Sequence, residues 1–311
     1  MNYLITIIGP TAIGKTSLSI ALAQHFNCDI ISCDSRQFYK EMTIGTAVPS
    51  DEELIAAKHH FIQNKSIFEN YSVGDFENEA TAKLDELFLK NNIQIMVGGS
   101  GLFVDAVLKG FDDFPEIKDT VREQLNADFE LFGIDYLQNK LKELDNDFFQ
   151  KLYCENPQTL QNPQRMKRFV EVCLGTGKPY SSFLGQKKNE RSFTPILIGI
   201  EANREVIYER INQRVDNMIN QGLVAEAERL YPNRALNALQ TVGYRELFDY
   251  FDSNIEDSRL LGNAIEEIKK NTRRFAKRQL TWFKRTENAI WFDYLTDRKK
   301  IIKHINQHIK S

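Results

Sequence analysis

No stretch of this 311-residue chain approaches the run of about eighteen apolar residues that a membrane-spanning helix needs, so an integral helical membrane protein is not expected. Cysteine is scarce. Cys28, Cys33, Cys154 and Cys173 form no C-x-x-C pair, which argues against a disulfide scaffold or a zinc ribbon and fits free thiols in a reducing cytoplasm. No tract is of low complexity and no period repeats, so solenoids and linker-rich architectures drop out. The first apolar segment begins at Tyr3, leaving no room for a signal peptide, and a cytoplasmic protein is expected.

What is present is an ordinary globular composition, 42% hydrophobic and 27% charged, in a chain long enough for a core domain and a smaller one. The net charge of −3 hides an asymmetry. Lys269 to Arg285 carries +8 with no acidic residue, and Arg165 to Arg191 carries +5, which leaves −16 on the remainder. Two basic patches on an acidic protein point to a polyanionic partner, although solvated helix faces give the same pattern.

The chemistry centres on Gly9-Pro10-Thr11-Ala12-Ile13-Gly14-Lys15-Thr16, which fits G-x-x-x-x-G-K-[ST]. The β-branched run Tyr3 to Ile8 before it reads as a buried parallel strand, and Ser17 to Ala23 after it has helical apolar spacing. Strand, glycine loop and helix is the context of a phosphate loop. Its backbone N–H groups converge on one anion at a helix N-terminus. Lys15 reaches the distal phosphates, and the Thr16 hydroxyl is placed to sit on Mg²⁺. The ligand is therefore a di- or triphosphate.

Asp29 to Ser32 reads as a second strand, with Asp34 at its carboxyl end, where ligands of open α/β sheets bind. Asp34 is a base, a ligand of metal-bound water, or simply a helix N-cap. The stretch holding Ile44 to Ala47 and His59-His60 looks irregular, and packing explains the adjacent histidines better than metal ligation does. A helix is expected over Val73 to Asn91 and a strand over Ile93 to Val97, ending in Gly98-Gly99-Ser100-Gly101. Gly98 and Gly99 would let a ligand approach the backbone, and no aspartate stands where ATPases of this kind hold Mg²⁺. After the loop 112–115 come short helical segments near 118–132, 135–144, 147–152 and 163–174. Pro195 to Ile200 returns as a strand. Arg204 to Gln221 is helical and places Arg210 and Arg214 on one face, either to clamp phosphates or to pair with Glu205 or Glu209. Leu260 to Phe283 reads as a long basic helix too free of acids to be an ion-paired surface. A short strand at 290–292 and a final helix ending in Lys310 close the chain. The fold class is α/β: a phosphate-loop NTPase-like core with a parallel sheet flanked by helices (1–115 and 193–311), plus an all-helical insertion (116–192).

These motifs together resemble one family, the tRNA dimethylallyltransferases (tRNA isopentenyltransferases), in the bacterial form without a zinc finger. GPTAIGKT at 9–16, DSRQ at 34–37 with Tyr39, IGTA at 44–47 and HH at 59–60 occur in the family's order. GGSGLF at 98–103, NPQRMKR at 162–168, VGYRE at 242–246 and TRRFAKRQLTWF at 272–283 continue it over nearly the whole chain. Ser100 stands for a commoner Thr, Phe103 for a frequent Tyr, and Val48 and Lys58 for the usual Lys and Pro.

The resemblance implies transfer of the dimethylallyl group of dimethylallyl diphosphate to N6 of adenosine 37, in tRNAs reading codons that begin with U. Diphosphate leaves and Mg²⁺ assists. It implies that Lys15, Thr16 and the loop amides hold the diphosphate, with Arg214 as a second clamp and Thr16 toward the metal. Asp34 would be the base, and Ser100 would donate to the bridging oxygen. Contacts to the anticodon stem-loop would come from Asp34, Ser35, Arg36, Gln37, Ser100 and Arg122. Gln164, Arg165, Met166, Lys167 and Arg168 would add to them in the insertion. Gln240, Thr241, Val242, Gly243, Tyr244 and Arg245, with Arg274, Lys277 and Arg278, would complete them. With the basic surface committed to RNA, a monomer is expected.

Overall fold

The run Tyr3–Ile8 forms β1, buried along its whole length, as its unbroken β-branched and apolar sequence requires of a central parallel strand. α1 (Lys15–Phe26) follows the glycine loop and leads to β2 (Ile30–Ser32). The seemingly irregular stretch after it holds α2 (Asp51–Ala56) and the two-residue β3 (His59–His60). Its overlooked signal is a reciprocal capping box in which Ser50 and Glu53 satisfy each other's backbone N–H. α3 (Val73–Phe88), β4 (Ile93–Val97) and α4 (Gly101–Lys109) come next. This computed structural model describes residues 1–112, 114–185, 190–253 and 257–309. Asp113, Lys187, Lys188 and Lys310 lie outside the described residues.

Residues 111–190 form a compact unit of their own. It consists of α5 (Asp119–Leu144), α6 (Asn146–Glu155), the single turn α7 (Pro157–Leu160) and α8 (Pro163–Thr176). α5 is interrupted at Gly133, whose φ of 69° and ψ of −160° divide it where two helices are read from the sequence. Leu125, Leu137, Leu141, Met166 and Val170 fill its core.

The chain then rejoins the first unit, residues 1–110 and 191–311, at β5 (Thr194–Glu201). α9 (Arg204–Asn220), α10 (Leu223–Leu230), α11 (Tyr244–Asp252), α12 (Ser258–Phe283), β6 (Ile290–Asp293) and α13 (Arg298–Ile309) follow. Six strands pair in the order β3-β2-β4-β1-β5-β6, every pair parallel.

Successive side chains of each strand go to opposite faces. Ile5, Ile30, Ile95 and Ile198 pack with Leu22 of α1, Ile211 of α9 and Ile305 of α13. Their neighbours Leu4, Ile31, Met96 and Leu197 pack with Phe76 of α3, Val107 of α4 and Phe283 of α12. Burying each such side chain stabilises the fold by about 1.5–3 kcal/mol. A third cluster, with Val215, Leu223, Leu247 and Ile268, joins α9 to α12 and also holds Tyr39 and Met42 from the segment after β2. The carboxyl ends of β1, β2 and β4 thus deliver the phosphate loop, Asp34 and the glycines at 98–99 to one edge of the sheet, where open α/β sheets take ligands.

Candidate active site

The phosphate loop curls through Ala12, which holds a left-handed φ of 63°. Lys15 Nζ donates to the carbonyls of Gly9 at 3.0 Å and Pro10 at 2.7 Å, so the loop supports its own cation. Burial lowers the Lys15 pKa to about 8, against the pull of the Asp34 carboxylate. Both arginines of α9 serve the loop. Arg214 Nη1 donates to Thr11 Oγ1 at 3.1 Å, and Arg210 Nε donates to the Ala12 carbonyl at 2.7 Å. A cavity of about 580 Å³ opens here, lined by Thr11 to Ser17, Asp34, Gly98, Gly99, Arg210, Arg214 and Gln279.

Asp34 caps no helix. Its Oδ1 accepts from the Arg36 amide at 3.1 Å, closing a turn after β2. Burial pushes its carboxyl above the ordinary carboxylate range, with the Arg36 N–H and the Lys15 charge opposing. Burial likewise pushes the neighbouring Cys33 thiol up, so that side chain is packing rather than a nucleophile. Ser100 Oγ accepts from the Ser35 amide at 3.1 Å and lies 3.0 Å from Ser35 Oγ.

Gly98 and Gly99 both line the cavity with their backbone, and neither has room for a side chain. A Cβ at Gly98 would stand 2.4 Å from Cys33 Sγ, and one at Gly99 would stand 2.2 Å from Gln279 Nε2. The Cβ side of each is filled by protein. Gln279, buried on α12, donates to the Gly99 carbonyl at 2.9 Å and accepts from the Thr11 amide at 2.8 Å.

Sequence reasoning also missed Glu226. This buried carboxylate accepts from the amides of Thr43 (3.2 Å), Ile44 (2.9 Å) and Gly45 (2.9 Å) and from Tyr244 Oη (2.7 Å). Its signal was legible: Leu223, Glu226, Ala227 and Leu230 share one helical stripe, so a glutamate stands on an apolar face. Gln37 holds the same loop by donating to the carbonyls of Thr46 (3.2 Å) and Ala47 (2.9 Å). Arg36 donates to the carbonyls of Asn237 (2.9 Å) and Ala238 (2.8 Å).

Several residues assigned to RNA contact stand elsewhere. Tyr244 and Met166 are fully buried, and Gly243 is buried as well, so none offers a surface to RNA. Val242 and Thr241 are half-buried, while Gln240 and Arg245 are exposed. In the helical unit, Arg122 and Arg168 converge on the buried Glu171 at 2.8 and 3.3 Å. Lys167 lies over the Phe129 ring, and Gln164 and Arg165 are exposed. Gln164, Arg165, Arg168, Phe169 and Tyr180 line a separate hollow of about 500 Å³ there.

The basic face of α12 is narrower than its sequence implies. Lys269 pairs with Asp216 and Glu266, Lys270 pairs with Glu267, and Arg273 donates to Asn212. Glu266 and Glu267 sit just before the acid-free window, and Asp216 comes from α9. Arg274, Lys277 and Arg278 are exposed and make no close ion pair among the described residues.

His60 Nε2 lies 2.8 Å from Asp29 Oδ2, and His59 Nδ1 lies 2.8 Å from the Ala57 carbonyl while the ring lines the cavity. Among the described residues no three His, Cys, Asp or Glu gather as a metal cage. The Thr16 hydroxyl and the Asp34 carboxylate do line the same cavity. These hard oxygen donors fit Mg²⁺, a cation that keeps several waters and takes the rest of its shell from substrate phosphates.

Known proteins resemble this chain over its full length. The IPP transferase family model matches residues 37–286. A tRNA dimethylallyltransferase of Flavobacterium psychrophilum is 72% identical over 310 residues, covering 100% of both chains. One of Flavobacterium johnsoniae is 70% identical over 311 residues, covering 100% of this chain and 99% of its own. The crystal structure of a tRNA isopentenylpyrophosphate transferase from Bacillus halodurans superposes with a TM-score of 0.71 at 36% identity, covering 100% of this chain and 96% of that one. A eukaryotic dimethylallyltransferase acting on tRNA gives 0.82 at 25% identity, covering 100% and 80%. With that model matching most of its length, the chain belongs to the IPP transferase family.

Proposed function

We propose that this enzyme transfers the dimethylallyl group of dimethylallyl diphosphate to N6 of adenosine 37 in tRNAs that read codons beginning with U. The observation that carries this reading is one cavity that joins the phosphate loop, two arginines and the half-buried carboxylate of Asp34. The first three are a diphosphate site; the last is a base.

In the reaction the exocyclic nitrogen attacks the allyl carbon, the C–O bond to diphosphate breaks, and the nitrogen's proton passes to Asp34. A carboxyl pushed up by burial is a better proton acceptor than an ordinary one. Lys15 exchanges the carbonyls of Gly9 and Pro10 for diphosphate oxygens, and Arg214 adds a second positive charge where negative charge develops on the leaving group. Ser100 donates a hydrogen bond to the bridging oxygen while Ser35 holds its hydroxyl. Thr16 would hold Mg²⁺, which would offset the charge of the diphosphate.

The RNA partner would meet Arg274, Lys277 and Arg278 on α12, and Gln164 and Arg165 in the helical unit. Phosphate contacts of this kind give affinity and register rather than sequence readout. Extruding a stacked base costs a few kcal/mol. The reading places the enzyme in the cytoplasm as a monomer.

A transfer assay with radiolabelled dimethylallyl diphosphate, Mg²⁺ and an anticodon stem-loop carrying adenosine or guanosine at position 37 tests it. Label entering the adenosine RNA alone is the expected result. Label entering AMP and neither RNA would overturn it.

A further inference from the structure

We propose that Glu226 is a positioning residue that fixes the apolar wall of the substrate cavity and so sets which prenyl donor fits. This rests on the prenyl-transfer reading above. The cavity is chemically divided. Its cations, Lys15, Arg210 and Arg214, come from the phosphate loop and α9, while Ile44, Ala47, Val48 and Pro49, interleaved with Thr43 and Thr46, line it from one short segment that is neither helix nor strand. A diphosphate takes the first set, which leaves the second for the hydrocarbon.

That segment has no ladder to hold it. Three consecutive amides, Thr43 to Gly45, end on the two oxygens of Glu226. A carboxylate that is 2% exposed is tolerable only because these amides and Tyr244 Oη satisfy it. Tyr244 also fixes the distance of approach: a Cβ at Gly45 would stand 2.5 Å from its ring. Gln37 anchors the other end of the loop at Thr46 and Ala47. Glu226 is itself outside the cavity lining, so its influence passes through the loop. In an apolar pocket a single methylene changes kcat/KM by about 10–200-fold, so a small shift of this wall is enough to alter donor choice.

The test measures kcat/KM for dimethylallyl diphosphate and for geranyl diphosphate, with the anticodon stem-loop as acceptor, in the wild type and in Glu226→Gln. Glutamine keeps the shape but accepts on one oxygen only, so amides of the loop lose a partner. The expected result is a fall of about tenfold or more in the preference for the shorter donor, with the affinity for inorganic diphosphate unchanged. If Glu226→Gln does not fold, Gly45→Ala displaces the same loop by driving a methyl against the Tyr244 ring and is read in the same way. A wild-type enzyme that uses neither donor refutes the prenyl-transfer reading itself. Given an active wild type, a folded variant that slows both donors by the same factor, or keeps the preference, overturns the role assigned to Glu226.

Discussion

Gln279 and Thr11 are 268 positions apart in sequence, and a 2.8 Å hydrogen bond joins the side chain of one to the amide of the other. The same amide group of Gln279 donates to Gly99 at 2.9 Å, so one side chain of the basic helix braces both the phosphate loop and the turn after β4. A phosphate loop binds through the geometry of its backbone, and this brace is part of that geometry.

Gln279→Ala removes the brace and leaves two backbone groups without their partner. The expected cost is about 1–3 kcal/mol of stability. Calorimetry would show it as a melting point lowered by roughly 2–4 °C per kcal/mol. The KM for the donor should rise as the loop loosens. An unchanged KM in the destabilised variant would confine Gln279 to folding.

Asp34→Asn keeps the turn after β2, because the amide oxygen still accepts from Arg36 N–H, but it removes the base. Transfer should fall by about 10²–10⁴-fold, the usual worth of a general base. Donor and RNA affinity, measured by titration, should stay near the wild-type values. Wild-type turnover would exclude Asp34 as the proton acceptor.

The sheet and the phosphate loop were legible because their cause is local. An apolar run, a glycine pattern and a helical stripe lie side by side between Tyr3 and Ala23. The wall of the cavity was not, because its cause is distant: the loop at 43–45 is held by a carboxylate about 180 residues on. Tyr244 and Met166 were misplaced for a related reason. They sit within motifs rich in polar residues, and only the packing of α11 on α10 and of α8 on α5 shows that they face inward. Arg210 and Arg214 were left between two readings; the structure sets them on the Ala12 carbonyl and the Thr11 hydroxyl, and among the described residues neither makes an ion pair with Glu205 or Glu209.

The charges of α12 divide into paired and free. Replacing Lys277 or Arg278 by Ala should remove one phosphate contact each. The slope of log K against log [salt] for RNA binding should then become shallower by about 0.7–0.9 per residue. Replacing Lys269, which already holds Asp216 and Glu266, should leave that slope unchanged. Equal effects at all three positions would refute the division.

The pH dependence follows from two opposite shifts with one cause. Burial lowers Lys15 from 10.5 to about 8 and raises Asp34 above its ordinary 3.8. The ammonium must be charged to hold diphosphate, so donor kcat/KM should fall as the pH rises through about 8 rather than through 10.5. The carboxylate must be unprotonated to take the nitrogen's proton, so the acid limb should lie above the pH at which a solvated aspartate ionises. The profile is a bell with both limbs drawn inward. Bound diphosphate places negative charge beside Lys15 and favours its charged form, so the alkaline limb of kcat should lie at higher pH than that of kcat/KM. Steady-state kinetics from pH 5 to 10 would measure both limbs. An alkaline limb of kcat/KM that begins only near 10.5 would mean that Lys15 stays solvated and that the loop does not bury its cation.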